Sequence, residues 1–405
     1  MFPPAFGPRM GYLCKYMQRA GWEPVVITEQ IPDNTFAFLC EDIPVTYISY
    51  YNATGKFSKK LEWIFIQICD LLFQYKDRKV IKVATNILKE GNFSGVLCSS
   101  YRTFPLPAAL QVAQKYKLPF IVDLRDIIEQ YASDEYMNHL FKSIPWLDKK
   151  ITSFFKNRLL NRRNQVLKQA DCVTTVSPWH VKTLKSYNPQ THLIYNGYDP
   201  ELFFPQLIKS KQFIIVYTGR LISLATRDPH LLFGAIARLN KEQLISSQKV
   251  RLHWYMDKYS KEVLSKLAEN YQISDYMDYF EYVPAAQIPE ILNHSSILLQ
   301  LANKMSESGP KGIMTTKLFE ALAVEKPILC VRSDEAYLEE TINKTHSGIA
   351  ARTEEEVYQF ILTHYKQWEK EGYTYINVER ENVKPFSRQK QADQFMQLFT
   401  HLNHK

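Results

Sequence analysis

The stretch Gly309-Pro-Lys-Gly-Ile-Met-Thr-Thr-Lys-Leu-Phe-Glu-Ala-Leu-Ala-Val-Glu-Lys-Pro327 has the residue types needed to hold a nucleoside diphosphate. A Gly-rich loop opens a helix there, and the free N–H groups of a helix start can bind phosphate oxygens. Gly312, Thr315 and Thr316 lie at that start, and Glu320 follows one turn on, placed to accept hydrogen bonds from two ribose hydroxyls. An ordinary strand-loop-helix connection with an exposed Glu is the competing reading. A second stretch, Tyr217-Thr-Gly-Arg-Leu-Ile-Ser-Leu-Ala-Thr-Arg-Asp-Pro229, supplies Gly219, which lets a ligand approach the backbone. It also carries Arg220 and Arg227, whose guanidinium groups suit a diphosphate. Its plainer reading is a solvated loop. A third, Phe120-Ile-Val-Asp-Leu-Arg-Asp126, places Arg125 and Asp126 after an apolar strand, either as functional charges or as a pair that ties a loop. Phe2-Pro-Pro-Ala-Phe-Gly-Pro-Arg9 adds Gly7 and Arg9 ahead of a helical pattern.

The elements that must position these residues are legible as short apolar runs alternating with helical patterns. Strands are predicted over Pro24–Thr28, Val45–Tyr50, Gly95–Ser99, Phe120–Leu124, Cys172–Val176 and His192–Tyr195. A second series covers Phe213–Thr218, Arg251–Met256, Asp278–Val283, Ile297–Ala302, Pro327–Val331 and Gly348–Ala351. Near-continuous apolar runs fit parallel strands covered on both faces. Helices are predicted over Glu262–Glu269, Thr316–Val324 and Glu354–Lys370, with a last one over Arg388–Leu402. Two α/β series in 405 residues imply two doubly wound domains, 1–200 and 201–387, with helix 388–402 returning to the first.

Several chemistries find no support. The dinucleotide fingerprint, the Walker phosphate loop, the zinc-protease helix and the nucleophile elbow are all missing. The six cysteines lack metal or redox spacing and read as free thiols of a reducing compartment, and no signal-peptide pattern is visible. The net charge of +8 favours an anionic partner, without the motif interleaving that would point to nucleic acid. The longest apolar run, Trp63–Phe73, is too short to span a bilayer, which takes roughly 20 residues.

In order, the motifs read FPPAFGPR, DLRD, ADCVTTVS, IYNGYD, YTGR…RDP and TTKLFEALAVEKP. This combination resembles the retaining glycosyltransferases of family 4, of bacterial cell-surface polysaccharide type. The resemblance is strongest from Ala170 onward and weakest over Glu29–Phe93. It implies the GT-B fold, two Rossmann-like domains facing across a cleft. It implies transfer from a nucleoside diphosphate sugar to a hydroxyl of a glycan or lipid-linked acceptor, with no further cofactor and no metal. Arg220 and Arg227 would hold the diphosphate, and Glu320 would match the second of two family glutamates. Gly312 stands where the first glutamate is expected, and Arg125 and Asp126 stand where many relatives carry a catalytic His. Gly7 and Arg9 would belong to the loop facing donor and acceptor. A sugar-nucleotide epimerase on the same fold and a non-catalytic scaffold subunit are the rival readings.

Two further expectations concern surroundings. Between Trp146 and Gln169 seven basic residues accompany Leu147, Ile151, Phe154 and Phe155 at helical spacing, so 146–169 is expected to touch an anionic membrane at the cytoplasmic face. The competing reading is a helix packed on the sheet with a solvated basic face. The loop-like Phe2–Arg9 stands where a Rossmann domain has already spent its first strand. The first domain is therefore expected to lack that strand, either because the true start lies upstream of Met1 or because the sheet tolerates a gap or fills it with another segment.

Overall fold

Runs of buried β-branched and apolar residues set the strands, and amphipathic segments between them set the crossovers. The structure is a computed structural model, and it describes residues 7–29, 39, 42–100, 103–130, 143–221, 224, 227–301, 314–331 and 336–404. The chain forms two compact units, Met1–Tyr195 with Gln391–Lys405, and Asn196–Lys390.

The first unit opens with α1 (Gly7–Arg19), β1 (Val26–Glu29), β2 (Val45–Ile48), α2 (Lys56–Phe73) and α3 (Tyr75–Lys89). It continues with β3 (Val96–Ser100), α4 (Leu106–Tyr116), β4 (Phe120–Leu124), α5 (Pro145–Gln169), β5 (Cys172–Thr175), α6 (Pro178–Leu184) and β6 (Thr191–Leu193). Strands β3-β4-β5-β6 form one parallel sheet, and β1-β2 form a separate parallel pair. Among the described residues no strand joins the two sheets. All five residues of β4 are buried, as a strand covered on both faces requires. Leu106, Leu167, Val173 and Leu184 pack with its Phe120, Val122 and Leu124 as the core.

The second unit contains β7 (Phe213–Thr218), α7 (His230–Lys241), β8 (Val250–Tyr255), α8 (Lys258–Asn270), β9 (Met277–Phe280) and α9 (Ile288–His294). Then come β10 (Ile297–Leu301), α10 (Thr316–Ala323), β11 (Ile328–Val331), α11 (Ala336–Thr345), β12 (Gly348–Ala351), α12 (Glu354–Glu371) and α13 (Arg380–Val383). Its sheet is parallel throughout, in the order β12-β11-β10-β7-β8-β9. The chain runs outward from β7 to β9, returns through α9 to β10 on the other side of β7, and runs outward again. That reversal is the switch point at which open α/β sheets leave a crevice. Helix α12 is fixed at its start by a capping box between Thr353 and Glu356 and stops at left-handed Gly372. The last helix, α14 (Arg388–Asn403), belongs largely to the first unit, where Phe395 and Phe399 are buried.

Candidate functional site

Strand β7 lies beside the switch point, and Arg220 and Arg227 lie on the loop that follows it. Tyr217 is buried beneath that loop; its hydroxyl donates to the Arg220 carbonyl (3.0 Å) and accepts from Arg227 Nη1 (2.9 Å). The Leu221 amide donates to Ser260 Oγ (3.1 Å), and Ser260 is itself held by the N-cap of α8, Asp257. These bonds fix the turn while leaving the guanidinium of Arg220 outside: it is 72% exposed, with Asp257 Oδ2 at 3.5 Å.

Helix α10 brings the complement. Its Lys317 ammonium lies 5.1 Å from the Tyr217 ring centroid, over the bare Cα of Gly219. Gly219 has φ +140°, and a Cβ there would meet Lys317 Nζ at 1.6 Å. The backbone conformation favours glycine there, and any side chain would also push the lysine aside. Burial and the nearby Arg227 bring Lys317 down to about 7, against the opposing pull of Glu320. Glu320, one turn on and half-buried, is pushed up to about 7 by burial, opposed by Arg388 and Lys317. The Nε of Arg227 is buried without a hydrogen-bond partner among the described residues. Thr315 caps α10 with no side-chain hydrogen bond, and no acidic residue occupies the first turn. Among the described residues, Arg227, Lys317, Glu320 and the start of α10 bring two basic side chains, helix N-terminal amides and one carboxylate together in partly buried surroundings, a set suited to an anionic ligand.

The sequence-predicted residues therefore divide. Arg220, Arg227, Thr315, Thr316 and Glu320 all lie on the loop after β7 or on α10 of the second unit. Gly312 lies outside the described residues. Arg125 and Asp126 follow β4 in the first unit. Asp126 Oδ1 accepts from Gln130 Nε2 (3.4 Å), and Gln130 Oε1 faces His180 Nε2 (2.8 Å). The other His180 nitrogen faces Thr175 (3.1 Å), and burial lowers this imidazole to about 4. Gly7 and Arg9 were expected in a loop; they form the first turn of α1 instead. Arg9 is buried, donating to Asp123 from Nε (3.0 Å) and Nη2 (2.9 Å) and to the carbonyls of Ile194 and Tyr195. The basic helix also departs from a single solvated face. Arg162 pairs with buried Asp77 (3.0 Å) and Arg163 with Glu129 (2.8 Å), while Lys149, Lys150, Arg158 and Lys168 stay exposed.

Lys317 escaped the sequence reading. The available signal was its place three residues before Glu320, which puts both on one helix face. Among the described residues no group of three or more His, Cys, Asp or Glu is arranged to hold a metal ion.

The second unit is thus an open parallel α/β sheet with basic side chains beside its switch point, the place where such sheets can take an anionic ligand. Comparison with known proteins narrows this. The family model Glycosyltransferase Family 4 matches residues 9–202, and the model Glycosyl transferases group 1 matches 199–361. A glycosyltransferase from Rickettsia africae superposes with TM-score 0.63 at 14% identity, over 99% of this chain and 96% of that one. HepE from Anabaena, in complex with UDP and glucose, gives TM-score 0.60 at 15% identity, over 98% and 96%. A sucrose-phosphate synthase from Thermosynechococcus elongatus gives 0.58 at 13% identity, over 96% and 91%. No curated protein sequence matches the chain. The chain is a glycosyltransferase with the GT-B fold.

Proposed function

We propose that this enzyme is a retaining family 4 transferase that moves a sugar from a nucleoside diphosphate sugar to a hydroxyl of a glycan or lipid-linked acceptor. Surface polysaccharide synthesis at the cytoplasmic face of a membrane is the setting this reading assigns. The observation that carries it is Lys317 set over the bare backbone of Gly219, with half-buried Arg227 and Glu320 near enough to act on its charge. Arg227 and Lys317 bind the two phosphates, joined by exposed Arg220, and stabilise the charge that grows on the leaving nucleoside diphosphate. The amides at Thr315 and Thr316, with Gly312 before them, take remaining phosphate oxygens. Glu320 accepts from the ribose hydroxyls. Arg125 and Asp126 serve the reacting sugar and acceptor, backed by Gln130 and His180. Gly7 belongs to the acceptor side, and Arg9 acts there through Asp123 as a positioning residue. The exposed lysines of α5, beside Trp146 and Phe154, meet anionic lipid.

UDP is the first nucleotide to test, because HepE and the MnaA protein of Staphylococcus aureus are both described bound to it. The experiment is a thermal-shift screen over nucleoside diphosphate sugars, since a ligand bound only by the native state raises its midpoint. Turnover with simple hydroxyl acceptors follows, the anomeric configuration of the product being read by NMR. A donor that stabilises the protein and gives a retained product supports the reading. An inverted anomer overturns retention. Interconversion of the free nucleotide sugar without any acceptor turns the assignment to an epimerase.

A further inference from the structure

Helix α2 is built inside out. Phe57, Leu61, Ile64, Phe65, Ile68 and Leu72 fall within about 100° of its circumference, a continuous apolar stripe. A helix with such a stripe ordinarily turns it inward. Here all six side chains are exposed, between 40% and 75%. The polar side is used inward instead. Glu62 accepts from the Asn52 and Ala53 amides (2.9 Å each), Gln67 reaches the Tyr51 hydroxyl, and Asp70 caps α3 through the Lys76 amide (2.9 Å). Ile66 is buried on this inner side. The orientation is therefore fixed by directed hydrogen bonds, and the apolar stripe is presented outward by construction.

An exposed apolar band of this length needs an occupant, and charge decides which. Lys56, Lys59 and Lys60 crowd the first turns, all exposed, and the first turn has no acidic residue. The only two acids of α2, Glu62 and Asp70, are engaged by the inward bonds just described. Apolar stripe and lysine rim together match the headgroup boundary of an anionic bilayer, where an amphipathic helix lies flat. A second copy of the chain would set lysine rim against lysine rim about a two-fold axis.

We infer that α2 inserts its Phe57–Leu72 stripe into the interface of an anionic bilayer and is the principal membrane anchor of the first unit. This goes beyond the α5 contact, which is electrostatic, and it is independent of the donor assignment. No described helix is long and apolar enough to cross a membrane, so the mode is lying on the surface.

The test is flotation of the full chain with phosphatidylcholine vesicles with and without phosphatidylglycerol. Wild type is expected to float with the phosphatidylglycerol vesicles and to keep part of that binding in high salt, because apolar insertion is not screened. Leu61→Gln with Ile68→Gln, both outward-facing, should weaken partition at least tenfold while leaving the unfolding midpoint and nucleoside-diphosphate affinity unchanged. Lys59→Gln with Lys60→Gln should reduce the preference for phosphatidylglycerol. Lys149→Glu with Arg158→Glu on α5 should weaken binding less than the α2 pair does. Loss of all binding in high salt, equal binding by wild type and the α2 pair, or no vesicle binding by wild type would each overturn the inference. So would a lipid-free dimer that the α2 substitutions dissolve, which would make a second copy the occupant.

Discussion

Each unit gathers charged side chains at its central strands, and the two gatherings have opposite characters. In the first unit Asp123 is wholly buried, and its carboxylate accepts from Arg9, from Thr174 Oγ1 (2.8 Å) and from Ser99 Oγ (3.1 Å). Those partners hold it below the usual carboxylate range in spite of burial, which pushes the other way. Arg9 is equally engaged, by Asp123, by two carbonyls and by the Phe395 ring at 5.6 Å. In the second unit, burial drives Lys317 and Glu320 toward their neutral forms, and the Nε of Arg227 has no hydrogen-bond partner among the described residues. A charge set whose bonds close within the chain is part of the fold. One whose bonds do not close among the described residues, at a sheet's switch point, is suited to a ligand. Charge and position look alike in the two cases; the bookkeeping of hydrogen bonds separates them.

The largest effect expected from this contrast is on stability. Arg9→Ala leaves Asp123 buried and unpaired, and should cost about 3–5 kcal/mol in denaturant unfolding. A loss below about 1 kcal/mol would make the first cluster as open as the second. Next is acid sensitivity through His180. Its folded value of about 4 lies below the unfolded value near 6.5, so its contribution is complete above the latter and is lost as pH falls toward the former. Wild type should lose roughly 3 kcal/mol more than His180→Gln between those limits; parallel curves for the two proteins would remove the effect.

The open cluster should behave the other way, with ligand affinity moving most. Arg227→Ala and Glu320→Gln are each expected to weaken nucleoside-diphosphate binding by about 1.5–3 kcal/mol in calorimetry, with both variants still folding cooperatively. Unaltered affinity in both variants would sink the donor site. A subtler reading comes from pH. With Lys317 near 7, only the protonated amine below that value attracts phosphate, so wild-type affinity should fall as much as tenfold on raising pH from about 6 to about 8. Lys317→Met keeps the ligand's own titration and should be flatter; an identical slope would assign the titration elsewhere. Smallest of all, Arg220→Ala should change stability by less than about 1 kcal/mol, because its pair with Asp257 is exposed. A larger loss would move Arg220 from the open group to the closed one.

Much of the scaffold was legible because period and apolarity are local properties. Phe120–Leu124, Phe213–Thr218 and Gly348–Ala351 were read to the residue. The strand read as Asp278–Val283 runs Met277–Phe280 instead, its end being set by pairing with β8 rather than by its own sequence. What could not be read was partnership at a distance. Arg9 and Asp123 are 114 residues apart, so nothing local tells a closing pair from a ligand contact. Likewise Arg162 and Arg163 look like a solvated basic face until Asp77 and Glu129 are placed against them. Helix α2 gave the opposite difficulty. Its apolar spacing is plain in the sequence, but the direction it faces is decided by backbone amides at Asn52 and Ala53.

The last helix has a consequence for how the protein is made. Residues 391–405 belong to the first unit, whereas the whole second unit, 196–390, lies between them and the rest of that unit. Phe399 reaches Trp22 with ring centroids 6.1 Å apart, and its side chain fills the space beside Gly95. On the ribosome, then, the second unit is uninterrupted and can fold as it emerges. The earlier-made unit waits with Trp22 and Gly95 uncovered while about 195 further residues are added. At about 5–20 residues per second that wait is on the order of 10–40 s. The usual N-to-C order of completion is thereby reversed: the unit translated first is the one finished last.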